Sequence, residues 1–518
     1  MGTVPWTVYA PTRRKQHWNP PDGLDWATVE RKVKRLQMRI AQAAKEGKHR
    51  KMRSLQWLLA HSFCGKLLAV RRVTSNKGKN TPGVDGVVWR TSRQKSNAVR
   101  QLHRRGYRAM PLRRVYIPKK SGKLRPLGIP VMGDRAMQAL YNLTMIPIAE
   151  TFADANSYGF RQGRSCADAI EQVFNSLCKK TDSQWILDAD IASCFDQISH
   201  QWLLENIPMD KKILGQWLRC GFLDKGELFP TLRGTPQGGI TSPTLMNMTL
   251  DGLERTARKS VPFNVPGTNR RNGVSVIRYA DDFVITAKTE EFLEKRVLPA
   301  IRTFLEKRGL SLSEEKTGIV HINKGFDFLG QRVRKYRNGK LIITPSRKSV
   351  QGLQEAVRRI LDEHRGDEAC MAIRRLNQTI TGWCNYHRHA CSHRTFRWID
   401  TWLFYRIKHW LHYRHPNKGR WWIVKRYYRI DKNKRWWFHS ASRHGDGKME
   451  QMEQRELVCA SRTRIVRHVK VKAQANPYDP AWSDYFHDRK VRKRYFNSDR
   501  RFVEERGCFN DAKRLREA

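Results

Sequence analysis

Two short acidic clusters, each set inside an apolar run that reads as a strand, constrain this chain more than any other feature. One is Leu187-Asp188-Ala189-Asp190-Ile191, followed by Cys194-Phe195-Asp196; the other is Tyr279-Ala280-Asp281-Asp282-Phe283. A carboxylate at the end of a buried strand costs desolvation energy unless it is paired or metal-bound. A fold that brings the clusters together makes a hard-oxygen cage suited to Mg²⁺, which prefers carboxylates plus substrate phosphates. Two such ions about 4 Å apart clamp the attacking and leaving oxygens of an in-line displacement at phosphorus. Taken alone, Asp281-Asp282 is equally an ordinary hairpin turn, where aspartate is common.

Apolar periodicity predicts helices over 26–72, the second of them over about 47–73, and again over 134–153, 290–309 and 349–415. Strands are predicted at 112–118, returning through Ile129 after the basic turn Lys119-Lys-Ser-Gly-Lys-Leu-Arg-Pro, and at 185–191. Residues 275–287 read as a hairpin around the second acidic cluster. Residues 74–86 form a Gly-, Asn- and Pro-rich loop carrying Lys77 and Lys79. Composition shifts near Thr344-Pro345, which marks a domain boundary.

The charge narrows the partners. There are 100 Lys and Arg against 48 Asp and Glu in 518 residues, a formal charge of +52. It is spread evenly, 62 basic against 29 acidic residues up to position 350 and 38 against 19 beyond. Such a balance points to a polyanion. Its mixture with aromatics favours nucleic acid over a membrane surface, with affinity that falls steeply with salt. A hydrophobic content of 39% excludes wholesale disorder. No run approaches the ~18 apolar residues of a membrane span. Met1–Pro21 holds no secretory apolar run, and Trp6 stands where myristoylation requires Ser or Thr. Ten cysteines in so long a chain read as reduced thiols.

Further blocks surround the acidic clusters in a fixed order. They are Ile117-Pro-Lys-Lys-Ser-Gly-Lys-Leu-Arg-Pro-Leu-Gly-Ile-Pro130, Asn156-Ser-Tyr-Gly-Phe-Arg-Gln-Gly-Arg-Ser165 and Asp188-Ala-Asp-Ile191. Then come Gly234-Thr-Pro-Gln-Gly-Gly239 with Ser242-Pro243, Tyr279-Ala-Asp-Asp282, Leu310-Ser-Leu-Ser-Glu-Glu-Lys-Thr317 and Gly325-Phe-Asp-Phe-Leu-Gly330. In these seven blocks, over about residues 26–480, the chain resembles the reverse transcriptases encoded by bacterial group II introns, also called maturases.

The resemblance implies an α+β fold. It is a right-hand polymerase with fingers and palm built on antiparallel sheet and helices, plus a helical thumb. It divides the chain into a helical N-terminal extension (1–73), fingers and palm (74–340), a maturase or thumb domain (341–440) and a basic DNA-binding tail (441–518). It implies RNA-directed DNA synthesis with two Mg²⁺ ions. Asp190 and Asp281 are ligands, Asp282 lies beside them, and the Ile191 carbonyl completes one site. Asp188 and Asp196 play supporting parts. Lys119 and Arg125 would hold the dNTP triphosphate, and Phe195 would exclude a 2′-hydroxyl unless it is simply a core aromatic. Gln237 lies in a turn whose glycines let backbone approach the nascent pair. Arg161 and Arg164 would line the template track, and the flexible loop 74–86 would cap the template strand through Lys77 and Lys79. The implied partners are the intron RNA, an RNA template, a DNA primer or target, and dNTPs, with no membrane; the implied place is a ribonucleoprotein in a bacterial cytoplasm.

Residues 381–440 hold 8 of the 17 tryptophans and 14 Lys and Arg against Asp400 and Asp431. Cations interleaved with aromatics suit phosphate contact and stacking on unpaired bases. Arg414, Lys418, Arg420, Lys425 and Arg426 are the candidate contacts, whereas Trp383, Trp398 and Trp402 read as helical core. Cys384, His387, His389, Cys391 and His393 match no common zinc spacing. Many relatives carry a C-terminal endonuclease with paired cysteines. After Cys508 none follows here, so bottom-strand cleavage is not expected, and 485–518 read as a basic remnant. The expected function is reverse transcription joined to intron splicing and retrohoming. The alternatives are a reverse transcriptase domesticated for defence or repair, or a splicing-only cofactor.

Overall fold

The computed structural model describes Trp18 and Gly122 and residues 25–118, 124–179, 183–236, 238–265, 272–430, 436–444 and 451–497. The chain opens with helices Trp26–Lys45, His49–His61 and Phe63–Ser75. Periodicity predicted two helices here. The chain instead breaks at Ser62, which is extended and whose hydroxyl accepts the Gly65 N–H at 3.0 Å, an N-cap that starts a third. The loop expected to be flexible is pinned. Lys77–Asn80 forms a single 3₁₀ turn, and the Arg135 guanidinium donates to the Gly78 and Thr81 carbonyls at 3.1 and 2.5 Å.

Two four-stranded sheets follow, built from β1 (Leu112–Pro118), β2 (Leu124–Ile129), β3 (Trp185–Asp190), β4 (Phe222–Asp224), β5 (Glu227–Phe229), β6 (Ser275–Tyr279), β7 (Asp282–Ala287) and β8 (Gly318–His321). The first has the order β2-β1-β4-β5 and the second β6-β7-β3-β8. The second is antiparallel throughout, as expected. The first is mixed, because β1 and β4 run parallel with Leu112 opposite Phe222. A parallel neighbour needs a long crossover, and the segment between β1 and β4, which includes β3, supplies it.

Alternation along β3 and β7 sends side chains to opposite faces. Leu187, Ala189, Phe283 and Ile285 pack with Met132, Ala136, Leu140 and Met145 of the helix Met132–Phe152. Ile186, Ile277 and Val284 pack with Ala169, Ile170, Val173 and Leu177 of the helix Cys166–Leu177. Helices thus cover both faces, and the strand ends that carry the acidic clusters lie at one edge of a rigid layer.

A second antiparallel sheet, β9 (Phe326–Phe328), β10 (Gln331–Lys335) and β11 (Leu341–Pro345), leads into helices Arg347–Glu363, Ala369–His387 and His393–Arg414. These three share their own core, including Val357, Leu376, Ile380, Phe396 and Leu403. The helix Arg420–Tyr427 and strands β12 (Tyr428–Ile430), β13 (Trp436–His444) and β14 (Gln451–Glu456) complete that region.

The segment after β14, expected as part of a basic tail, crosses back over the molecule. Val471 and Ala475 join the core that contains Ile186 and Ile277. Asp168 accepts from His468 and Arg489, each at 2.8 Å, while Lys45 pairs with Asp479 at 3.0 Å and Lys34 donates to the Pro477 carbonyl. A few apolar residues within a basic sequence are enough to seat it, because the outer face of the palm sheet offers apolar surface. The basic stretch expected over 485–518 is described only as far as the helix Ser483–Asn497, and Cys508 lies outside the described residues. Among the described residues no helix is long and apolar enough to cross a membrane.

Candidate active site

The β6–β7 hairpin closes through a two-residue link, Ala280-Asp281, with Tyr279 opposite Asp282. On its other side β7 pairs with β3 in a register that sets Asp282 directly opposite Asp190. The two acidic clusters therefore meet at one end of the sheet. Beyond Asp190 the chain pairs with residues 311–313. Ser313 N donates to the Asp190 carbonyl at 2.8 Å and Ala192 N to the Ser311 carbonyl at 2.9 Å. In that antiparallel pattern Ile191 turns its own N–H and carbonyl away from Leu312, toward the side of the Asp281–Asp282 turn.

Burial and mutual repulsion govern the electrostatics. Burial, with the Asp190 charge added, raises the Asp281 carboxyl against the opposing effect of Arg125 and Lys316. Burial followed by the Asp281 and Asp190 charges pushes Asp282 up to about 7. Asp188, one turn of the pleat away, is pushed up to about 6 by burial and by Asp327 and Asp190. So dense a negative cluster calls for a cation. Lys316 answers part of that demand with an ion pair to Asp190 while its own side chain stays 52% exposed. Among the described residues no three His, Cys, Asp or Glu side chains already close into a metal cage. The donor set is three carboxylates with a free-facing carbonyl. It fits a hard divalent cation in chemistry, and Lys316 occupies one of the two Asp190 carboxylate oxygens.

Phe195 sits half-buried on the short helix Cys194–Gln197 against the main core, and its carbonyl accepts the Thr235 N–H at 2.6 Å. This contact ties it to the turn that contains Gly238. A Cβ on Gly238 would lie 2.8 Å from the Gly128 carbonyl on β2, so only glycine lets the turn approach the fingers hairpin. Arg125 is exposed on β2 and acts on Asp281 electrostatically. Asp196 is exposed. Lys119 and Gln237 lie outside the described residues.

The expected template contacts divide. Lys77 and Lys79 are exposed. Arg161 is not available to a template. It is buried against Glu150, with nitrogen–oxygen distances of 2.8 and 3.1 Å, and donates to the Asp154 and Ser157 carbonyls. Arg164 is buried too, donating to the Ala473 and Ala475 carbonyls of the returning segment at 2.8 and 3.3 Å. Both are corrections with one cause: a guanidinium carries five donors and so suits a buried junction of loop carbonyls.

On the thumb, Lys418, Arg420, Lys425 and Arg426 are exposed and Arg414 is half-buried over the Trp410 ring. Trp398, expected in the core, is 49% exposed, while Trp383 and Trp402 pack against the thumb core. Cys384 is buried in that core, and His387 is held by Gln331 and Ser349 at 2.8 and 2.9 Å. Burial pushes His387 down to about 3. Cys391 is exposed.

Sequence reasoning missed Lys316 and Arg278. Lys316 lies within Leu310–Thr317, and its place directly after two glutamates is the signal that was available. Arg278 adjoins Tyr279, but nothing local marks it as buried.

Three family models match the chain: an N-terminal domain of reverse transcriptase over residues 21–102, a reverse transcriptase (RNA-dependent DNA polymerase) over 117–333, and a group II intron maturase-specific domain over 350–428. Protein YkfC of Escherichia coli is 36% identical over 306 residues, covering 52% of this chain and 80% of that protein. The group II intron-encoded protein LtrA of Lactococcus lactis is 30% identical over 336 residues, covering 53% of this chain and 55% of LtrA. Maturase-like protein 1 of Euglena gracilis is 24% identical over 392 residues, 74% of this chain and 80% of that one. The alignment spans only about half of LtrA. With a polymerase domain whose strand ends carry the acidic clusters and a maturase-specific domain behind it, the chain belongs to the group II intron-encoded reverse transcriptases and maturases.

Proposed function

We propose that this chain extends a primer 3′-hydroxyl on an RNA template by two-metal nucleotidyl transfer, and that it binds its parent intron RNA to promote splicing and retrohoming. The observation that supports this most is the register of β3 against β7, which sets Asp190 opposite Asp282 with Asp281 adjacent. Asp190, Asp281 and the Ile191 carbonyl would hold Mg²⁺, with Asp282 beside them. Bound there, two ions would help ionise the primer hydroxyl and neutralise charge on the leaving pyrophosphate. Arg125, with Lys119, would hold the triphosphate by charge-assisted hydrogen bonds. Gln237 and Gly238 would let backbone approach the new pair. Lys316, exposed along its stem, would swing off Asp190 as the site fills.

A proton competes with a metal for a carboxylate held near neutrality. Burial and its acidic neighbours raise Asp282 to about 7, so a cation bound to the adjoining Asp190 and Asp281 would favour loss of that proton. The Mg²⁺ concentration for half-maximal primer extension should therefore fall as pH rises from about 6 to 8. Mg²⁺ titrations across that range test this; a midpoint independent of pH would mean that Asp282 is not coupled to the bound ions.

Phe195 is proposed to exclude the ribose 2′-hydroxyl. Phe195→Ala should reduce discrimination between dNTPs and rNTPs by about 100-fold, read as the ratio of kcat/KM values. Unchanged discrimination would leave Phe195 a packing residue.

The thumb supplies the RNA surface in this reading. From Trp402 to Ile430 there are eight Lys and Arg and no Asp or Glu. Trp421 is 78% exposed beside a cleft of about 120 Å³ lined by Lys408, His412 and Arg420. An exposed ring among cations is suited to stacking an unpaired base while the flanking phosphates are neutralised. Exposed Lys77 and Lys79 are proposed to touch the template backbone, and the exposed cations of the C-terminal segment target DNA.

Two measurements on the purified protein test the whole. Primer extension on RNA tests the polymerase, and sequencing the RNA that co-purifies from native cells tests the partner. One dominant structured RNA that contains this reading frame supports the maturase role in a ribonucleoprotein. A heterogeneous pool moves the biology to defence or repair, and absent extension with splicing intact leaves a splicing cofactor.

A further inference from the structure

We propose that Arg278, braced by Asn247 and Asp251, is a positioning residue that sets the backbone of the Asp281–Asp282 turn. Arg278 lies on β6, two residues before the turn begins, and is 1% exposed. Its Nη1 donates to Asn247 Oδ1 at 3.0 Å and reaches the Ala280 carbonyl at 3.4 Å; its Nη2 donates to Asp251 Oδ1 at 2.6 Å. One rigid guanidinium plane thus joins the catalytic turn to two residues at the end of the helix Ser242–Leu250. Leu245, Met246 and Leu250 root that helix in the main core.

The turn needs such a hold. Ala280 is buried and sits in the left-handed region at φ +62°, which alanine keeps only where its surroundings impose it. The constraint comes from two sides. From below, Gly159 presses so close that a Cβ there would lie 2.3 Å from Ala280 N. From the side, Arg278 reaches the Ala280 carbonyl. Asn247 ties the two together, accepting from Arg278 and donating through Nδ2 to the Gly159 carbonyl at 2.9 Å. Backbone bonds Tyr158 N to Arg278 O (2.9 Å) and Arg278 N to Asn156 O (3.0 Å) lock the same loop to β6.

Stability alone is a poor reason for this arrangement. Buried ion pairs are often replaceable by apolar side chains at little cost, and Arg278 Nε has no hydrogen-bond partner among the described residues. What an apolar residue cannot do is fix a backbone carbonyl, an amide and a carboxylate in one plane. The carboxylates that follow are carried on the turn that begins at Ala280, and misplacing reacting groups by about 1 Å costs on the order of 100-fold in rate.

The inference rests on the polymerase reading, and the experiment separates the two. Arg278→Lys keeps a cation beside Asp251 but cannot serve three acceptors at fixed geometry. We expect its single-turnover extension rate per active site to fall about 100-fold, with a several-fold rise in half-saturating Mg²⁺ and unchanged primer–template affinity. Asn247→Ala, which keeps the Arg278–Asp251 pair and cuts the tie to Gly159, should give the same signature at about 10-fold. A merely structural role would lower the melting temperature and the active fraction, and leave the rate per active site and the Mg²⁺ midpoint alone. Wild-type values of both in either folded variant would overturn the proposal. Failure of both variants to fold would also overturn it, by assigning the brace to stability. Wild-type protein that extends no primer would remove the polymerase reading and this inference with it.

Discussion

Asp281→Ala is expected to abolish primer extension, a loss of about 10³-fold or more, because a metal clamp supplies several kcal/mol of charge stabilisation that depends on its ligands. RNA affinity should stay within about twofold of wild type, since the phosphate contacts proposed above lie on the basic surface of the thumb and not on this turn. The substitution should not destabilise the metal-free protein. Burial and the Asp190 charge raise the Asp281 carboxyl, so its ionised form is held at a cost that alanine removes. The sign follows from that direction: a raised carboxylate opposes folding as pH climbs through its range, and its removal takes that penalty away. Extension assays, filter binding and thermal melts on one preparation separate the three effects. Retained synthesis would sink the metal-site reading, and a large fall in melting temperature would mean that Asp281 is structural.

Arg161→Met should cost about 3–5 kcal/mol of stability, the usual penalty for leaving one member of a buried ion pair unpaired. The side chains of Arg161 and Glu150 are each 5% exposed, and the guanidinium also serves the Asp154 and Ser157 carbonyls. Removing Glu150 as well, in Arg161→Met with Glu150→Leu, should recover part of the loss, because the stranded carboxylate goes with it. The template-track reading predicts the reverse pattern, with primer–template affinity reduced and stability unchanged. Denaturant unfolding and affinity at fixed salt distinguish them, and the second pattern would overturn the placement of Arg161 as a structural residue.

Much of the site was legible because its signals are local. Acids inside apolar strand runs are costly, so Asp188, Asp190, Asp281 and Asp282 stood out before any fold was known. Apolar runs flanking the acidic pair over 275–287 announced the hairpin, and 3.6-residue periodicity announced the helices of the thumb. These features belong to the chain itself, since each depends on neighbours within a few positions.

What the tertiary structure alone decided depends on distant residues. With 100 Lys and Arg in the chain, sequence offers no signal that Arg161, Arg164 and Arg278 are buried while Arg125 and Lys418 face solvent. Burial is set by which carbonyls and carboxylates the fold brings to each guanidinium. The parallel pairing of β1 with β4 has the same character, as do the ion pair of Lys316 with Asp190 and the seating of Val471 and Ala475 on the palm. The acidic strand ends are therefore written in the sequence, because desolvation makes a carboxylate conspicuous wherever the chain is apolar. The cations that answer them are chosen by packing, because a charge among so many is distinguished only by what it touches.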